Sequence, residues 1–250
     1  DDFGMAVFLA RNGIDVWGMD QAWNLVPREE TDFSFFEGWG LAKEADHLAT
    51  GLAVARLSRW MTGNGLDQML LLGYSSGCMT GYTLLNEEAQ RPACLRQVKG
   101  YIAADSGVRS DDPEWIENNL GWVDLYQSLY DGGQFQDPLI TYDVSMLARS
   151  DPDGDSPFAP GLTNYQFALF LGGGPMFPPT PIHYLAPVLE DGLPVGFQFV
   201  TVDQWLDFIE NTAAYEPLLF ELEYFKLLAM MDSPYVSHLA DITVPVLDIG

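Results

Sequence analysis

Residues 73–77 read Gly-Tyr-Ser-Ser-Gly, a G-x-S-x-G spacing suited to nucleophilic attack on a carbonyl. A serine at the apex of a sharp strand-to-helix turn is held in strained backbone with its hydroxyl exposed. Small residues two before and two after it let neighbouring backbone approach without a clash. The helix that starts beside it offers unpaired N–H groups and a positive dipole end to a developing oxyanion. The apolar run QMLLL (68–72) precedes the motif and CMTGYTLL (78–85) follows it, which is the context such a turn needs. The frame is fixed, because Ser76 as nucleophile would need glycine at 74, where tyrosine stands. Ser75 is the candidate nucleophile, and the Ser76 N–H is a candidate oxyanion donor. The alternative is a glycine-rich turn with no chemistry.

A serine nucleophile needs a base that titrates near neutrality. The histidines are His47, His183 and His238. His238 would complete a chain order Ser75, Asp105, His238, with Asp105 following the next strand pattern; Asp105 also reads as a strand-end or capping residue. Asp248 lies inside a late strand pattern. His47 falls in a long helical pattern and His183 in a proline-rich stretch, and a structural or solvated histidine is the commoner reading for all three. Asp151-Pro-Asp153-Gly-Asp155-Ser156 imitates the start of a calcium loop. That pattern then demands Gly at 156 and Glu at 162, where this chain has Ser and Leu, so a solvated acidic turn is expected. Cys78 opens the helix after the motif, where the dipole would lower a thiol pKa, although a small buried packing residue is the simpler reading. Trp205, Phe208, Tyr224, Phe225, Met230 and Met231 either line an acyl pocket or form a local core.

The elements that must position Ser75 follow from hydrophobic periodicity. Residues 1–12 predict a helix with Phe3, Val7 and Ala10 on one face and Gly13 as its stop. Residues 14–20 (IDVWGMD) predict a short strand. Leu41, Ala45, Leu48, Leu52 and Ala55 recur at helical spacing over 41–61. Strands are expected over 68–72, 98–104 and 244–249, with a helix from the motif to about Glu88. After Asp105 the alternation breaks, prolines and glycine clusters accumulate, and only 204–211 and 218–231 read clearly as helices. The expected organisation is an α/β core over 1–105, a mainly helical cap insertion over 106–240 and a return strand over 241–250. An insertion that long should have structure of its own.

Composition excludes several classes. The 250 residues carry 36 acidic and 11 basic side chains, a formal charge of −25. No basic footprint for nucleic acid can be assembled from so few cations, and an anionic membrane surface would repel the chain. Apolar residues at 48 % suit a packed domain rather than an acidic tail. No apolar run reaches the ~18 residues needed to span a bilayer. Cys78 and Cys94 are too few to staple a small domain or to supply a zinc site.

ARNGIDVWGMD before the motif, GYSSG itself, VKGYIAADS after it and ADITVPVLDIG near the end together resemble the α/β-hydrolase family. The similarity covers 1–105 and 241–250. It implies an incomplete α/β-hydrolase sheet with a cap, no metal or organic cofactor, and a small ester substrate with an apolar acyl group. It also implies a triad in the order Ser, Asp or Glu, His, with half of the oxyanion hole from a loop upstream of the first helix. The family's usual D-x-R-G-x-G-x-S stretch is replaced by Asp20-Gln21-Ala22-Trp23. On this resemblance the oxyanion loop and a central strand fall before residue 1, and the acid and histidine fall after Gly250. The expectation is therefore an internal piece of a longer serine esterase, inactive by itself. The competing class is a non-catalytic protein of the same fold that uses its insertion to bind a ligand or partner.

Overall fold

The computed structural model describes residues 4–105, 108–173 and 185–249. In chain order, α1 (Met5–Arg11) and α2 (Leu41–Met61) precede β1 (Met69–Tyr74), α3 (Ser76–Ala89) and β2 (Val98–Ala104). Next come α4 (Pro113–Asp131), β3 (Gln136–Pro138), α5 (Thr141–Ser150) and α6 (Asn164–Gly173). β4 (Pro187–Glu190), β5 (Leu193–Phe197), α7 (Val202–Glu210), β6 (Tyr215–Pro217), α8 (Leu218–Leu228) and β7 (Val246–Ile249) complete the order. The architecture is mixed α/β with a small parallel sheet.

The described residues divide into two compact units, one from Asp1–Trp23, Glu29–Asp137 and Glu216–Gly250, the other from Asn24–Arg28 and Pro138–Tyr215. The first unit holds a parallel sheet in the order β1-β2-β7. Tyr74 of β1 aligns with Ala104 of β2, and Ala104 with Ile249 of β7, so the three strands end level with one another. Leu71, Tyr101 and Ala103 turn toward Ala45, Leu52, Cys78, Tyr82, Leu84 and Leu85 and close one core on that face. The opposite face leaves Leu70, Leu72, Leu247 and Ile249 exposed. α2 forms where the periodicity placed it: Leu41, Ala45, Leu52 and Ala55 are its buried stripe. It stops at Thr62, followed by Gly63 at φ 83°, a left-handed ending that favours glycine. A second apolar cluster joins Val123 of α4 to Leu222 of α8 and to Ala229.

The expected strand over 14–20 does not form. Ile14, Trp17 and Met19 are exposed, and Asp15 instead pairs with Arg59 of α2. Apolar composition favours extended backbone, but a strand exists only where another strand supplies hydrogen-bond partners.

The second unit packs α5, α6 and α7 with a β4–β5 hairpin around Val144, Ala168, Leu169, Phe197, Trp205 and Ile209. This hairpin lies in the stretch where the alternating strand pattern breaks. Its turn is Asp191-Gly192, both at positive φ (51° and 81°), the Asp-Gly pairing that two-residue hairpins favour. Thr201 and Gln204 form a capping box that starts α7. The expected cap over 106–240 thus meets a different division. α4 and α8 pack on one another and belong to the unit that holds the parallel sheet, while the separate unit is shorter. The stretch is mainly helical, and among the described residues none of it joins the parallel sheet. The connector expected over 171–182 falls mostly outside the described residues.

Candidate functional site

β1 runs directly into α3 through one residue. Ser75 lies at φ 51°, ψ −125°, between Tyr74, the last residue of β1, and Ser76, the first of α3. These angles lie near those of the first central residue of a type II′ turn, a place that glycine normally fills. The turn is anchored on both sides of the serine. The Ser75 N–H donates to the Ala104 carbonyl of β2 at 3.0 Å, and the Ser75 carbonyl accepts from the Cys78 N–H at 2.8 Å. Ser75 is half-buried, and among the described residues its hydroxyl makes no hydrogen bond. Ser76 and Gly77 open the first turn of α3, where backbone N–H groups have no acceptor within the helix.

The two motif glycines differ in what they do. A Cβ at Gly73 would lie 2.6 Å from the Gly77 carbonyl oxygen and 2.7 Å from the Tyr101 hydroxyl, so strand and helix could not approach. A Cβ at Gly77 would meet nothing within 4 Å among the described residues. The close approach expected of both positions is therefore confined to Gly73, which accommodates Gly77's own backbone.

Beneath the turn lie Cys78, already a candidate from the sequence, and two tyrosines, Tyr82 and Tyr101, to which the sequence pattern assigns no role. Cys78 is fully buried, and its thiol donates to the carbonyls of Gly73 at 3.3 Å and Ala104 at 3.2 Å. Burial pushes this thiol pKa up, and the hydrogen bond to Ala104 offsets only part of that rise. The shift is upward rather than downward, and Cys78 packs as a small buried residue. The Tyr101 hydroxyl donates to the Cys78 carbonyl at 2.8 Å, and the Tyr82 hydroxyl donates to Asp248 at 3.1 Å. Burial raises both phenols well above the usual tyrosine value. A legible signal for this set existed: Gly73 and Gly81 sit eight residues apart around the turn, and two tyrosines occupy otherwise apolar patterns.

Asp105 stands one residue beyond β2, level with Ser75, exposed and at φ 65°. Its N–H donates to the Ile249 carbonyl at 2.8 Å. His238 is not brought to this end of the sheet. Its backbone N–H donates to Asn86 Oδ1 at 2.6 Å and its Nδ1 faces Asp241 at 3.0 Å. Asn86 lies ten residues along α3 from Ser76, about 15 Å at the helical rise. The order Ser75, Asp105, His238 is thus not assembled as a triad, because α3 itself separates its members. His47 sits in α2 beside Glu44, whose Oε1 also accepts from the Trp39 indole N–H at 2.7 Å. His183 lies outside the described residues.

Asp151 stands at a turn, with the Gly154 N–H donating to its carbonyl at 3.2 Å. Among the described residues no group of three or more His, Cys, Asp or Glu could hold a metal ion. Trp205 packs in the second unit's core with its indole N–H donating to the Ala168 carbonyl, whereas Phe225 stacks on Trp122 and Tyr126 in the first unit. The aromatics read together in the sequence therefore divide between two separate clusters. A groove of about 460 Å³ runs along α2 past Ala49, Ala53 and Leu57, and Ser75 does not line it. Among the described residues, no helix is long and apolar enough to cross a membrane. Comparison with protein-family models, with curated proteins and with solved structures gives no match.

Proposed function

We propose that Ser75 is the nucleophile of a serine hydrolase with an α/β-hydrolase core, cleaving a carboxylic ester that carries an apolar acyl group. One observation carries this reading: a non-glycine residue at φ 51°, ψ −125° joins a parallel strand directly to a helix. Such backbone costs free energy and gives the fold nothing that glycine would not supply more cheaply, so a side chain retained there points to use of its hydroxyl. The strand order β1-β2-β7, all parallel with Ser75 at the carboxyl end of β1, supports the fold part of the proposal.

In the reaction, Ser75 Oγ adds to the ester carbonyl carbon while a general base takes its proton. The oxyanion accepts the Ser76 N–H, aided by the positive end of α3. Collapse of the tetrahedral species expels the alcohol, which receives the proton, and leaves an acyl group on Ser75. Water then attacks the acyl-enzyme through the same base, releasing the acid and the serine. The base in this reading is a histidine other than His47 and His238. No metal or organic cofactor enters any step.

The test is labelling by a fluorophosphonate probe in protein expressed from its natural open reading frame. Ser75 attacks phosphorus, fluoride leaves, and one phosphonyl group is retained per chain. Labelling of Ser75 that disappears in Ser75→Ala supports the reading, and a wild-type protein that stays unlabelled refutes it. The second reading, a ligand-binding protein with this fold and no catalysis, draws on the absence of a histidine partner for Ser75 among the described residues. It predicts an unlabelled serine.

A further inference from the structure

We infer that the Tyr101 phenol is a positioning residue of this site, holding the first turn of α3 where the Ser76 N–H faces the oxyanion. The inference rests on Ser75 being the nucleophile. Tyr101 sits on the central strand of the parallel sheet, 1 % exposed, with its ring edge-on to Tyr82 at 5.0 Å between centroids. Its hydroxyl reaches out of the sheet layer to the Cys78 carbonyl at 2.8 Å. The slot that it occupies exists because two side chains are missing. A Cβ on Gly73 would come within 2.7 Å of the hydroxyl oxygen, and one on Gly81 within 2.4 Å.

Cys78 is the residue through which the nucleophile's turn is closed. Its N–H donates to the Ser75 carbonyl at 2.8 Å, and its thiol bridges to the carbonyls at the ends of β1 and β2. The phenol therefore grips the same residue that fixes Ser75 from the helix side. It also ties that residue to the strand whose Ala104 carbonyl fixes the Ser75 N–H. Loss of this tie leaves the weak Cys78 thiol donor and the Ser75 N–H as the hydrogen bonds that hold this turn to the end of β2. The amides of Ser76 and Gly77 then shift with the helix, while Tyr101 itself, 1 % exposed, offers no surface for a bound ligand to touch. The consequence belongs to reaction rate and not to binding, since small misplacements of reacting groups act on the transition state.

The experiment compares fluorophosphonate labelling of wild-type, Tyr101→Phe and Tyr82→Phe proteins, each expressed from the natural open reading frame. The readings are maximal rate, half-saturating probe concentration and final stoichiometry. Tyr101→Phe keeps the ring and is expected to lower the maximal rate about 10- to 100-fold at unchanged half-saturation and full stoichiometry. Tyr82→Phe removes a neighbouring, part-buried hydroxyl that goes to Asp248 instead of α3, and is expected to keep the wild-type rate. Gly81→Ala pushes on the same phenol from α3 and gives the same kinetic pattern, which covers the case of a Tyr101→Phe protein that does not fold. A Tyr101→Phe protein with the wild-type rate overturns the inference while leaving Ser75 as nucleophile. A lower stoichiometry at an unchanged rate overturns it too, showing a hydroxyl that matters only to folding. An unlabelled wild-type protein removes the nucleophile and the positioning role together.

Discussion

Replacing Ser75 by glycine should stabilise the protein relative to replacing it by alanine. Both substitutions delete the hydroxyl, so their difference isolates the cost of holding a Cβ at φ 51°, ψ −125°. Residues held in such sparsely populated backbone regions cost ~1–3 kcal/mol. Glycine's greater freedom in the unfolded chain returns ~0.4–1 kcal/mol of that. The expected net gain of Ser75→Gly over Ser75→Ala is therefore ~0–2.6 kcal/mol, centred near ~1.3 kcal/mol. Elsewhere in a strand-to-helix connection the same exchange would carry only the unfolded-state penalty, so the sign itself is diagnostic. The assay is urea unfolding of both variants, reading midpoint and slope, with equal slopes required before midpoints are compared. Both variants should remain unlabelled by a fluorophosphonate. Ser75→Gly less stable than Ser75→Ala would refute the reasoning, because the turn would then carry no strain. The argument that a strained serine is kept for its hydroxyl would fall with it.

Two further outcomes follow from buried carboxylates. Glu88 is 2 % exposed and accepts the N–H groups of Gln97 at 2.7 Å and Val98 at 3.2 Å, pinning the entry to β2 beneath α3. Glu88→Leu strands both amides and should cost ~2–5 kcal/mol in urea unfolding, whereas Glu87→Ala, which breaks a partly exposed pair with Arg91, should cost under ~1 kcal/mol. Glu221 is held well above the ordinary carboxylate range, first by burial and then by the neighbouring charges of Glu216 and Asp137. The folded state thus binds more protons than the unfolded state between the ordinary glutamate value and the raised one, so stability falls as pH rises through that window. Glu221→Gln should be more stable than wild type at neutral pH, with the gap closing as pH is lowered toward the ordinary glutamate range. A wild-type minus variant difference that does not change with pH would contradict this.

The local elements were legible wherever one periodicity served one environment. α2 over Leu41–Met61 and β2 over Val98–Ala104 match their expected bounds, because their apolar stripe or run faces a single core. The turn at Ser75 was legible for another reason. Glycine spacing, an apolar strand before and an apolar helix after are each local, and together they demand a sharp reversal. The β4–β5 hairpin was also locally written in Asp191-Gly192, but its strands alternate too weakly to be seen without the turn. Segment 14–20 shows the limit from the other side. It has strand composition, yet its backbone finds no neighbouring strand, so a local preference stays unrealised.

The sequence by itself determined that a serine sits at a strained strand-to-helix junction, since every requirement of that junction lies within about twenty contiguous residues. Only the tertiary structure decided what stands around it. His238 and Asp105 satisfy a chain order, but α3 carries Asn86, and His238 with it, away from the end of the sheet where Asp105 lies. The spacing of Gly73 and Gly81 and the tyrosine in the β2 pattern are visible in the chain, but only the crossing of α3 over β2 makes of them a slot that the Tyr101 phenol fills. The physical reason is range. Backbone strain and amphipathic period are set by neighbours in sequence, whereas hydrogen-bond partners and close approaches depend on how separate elements are laid against one another.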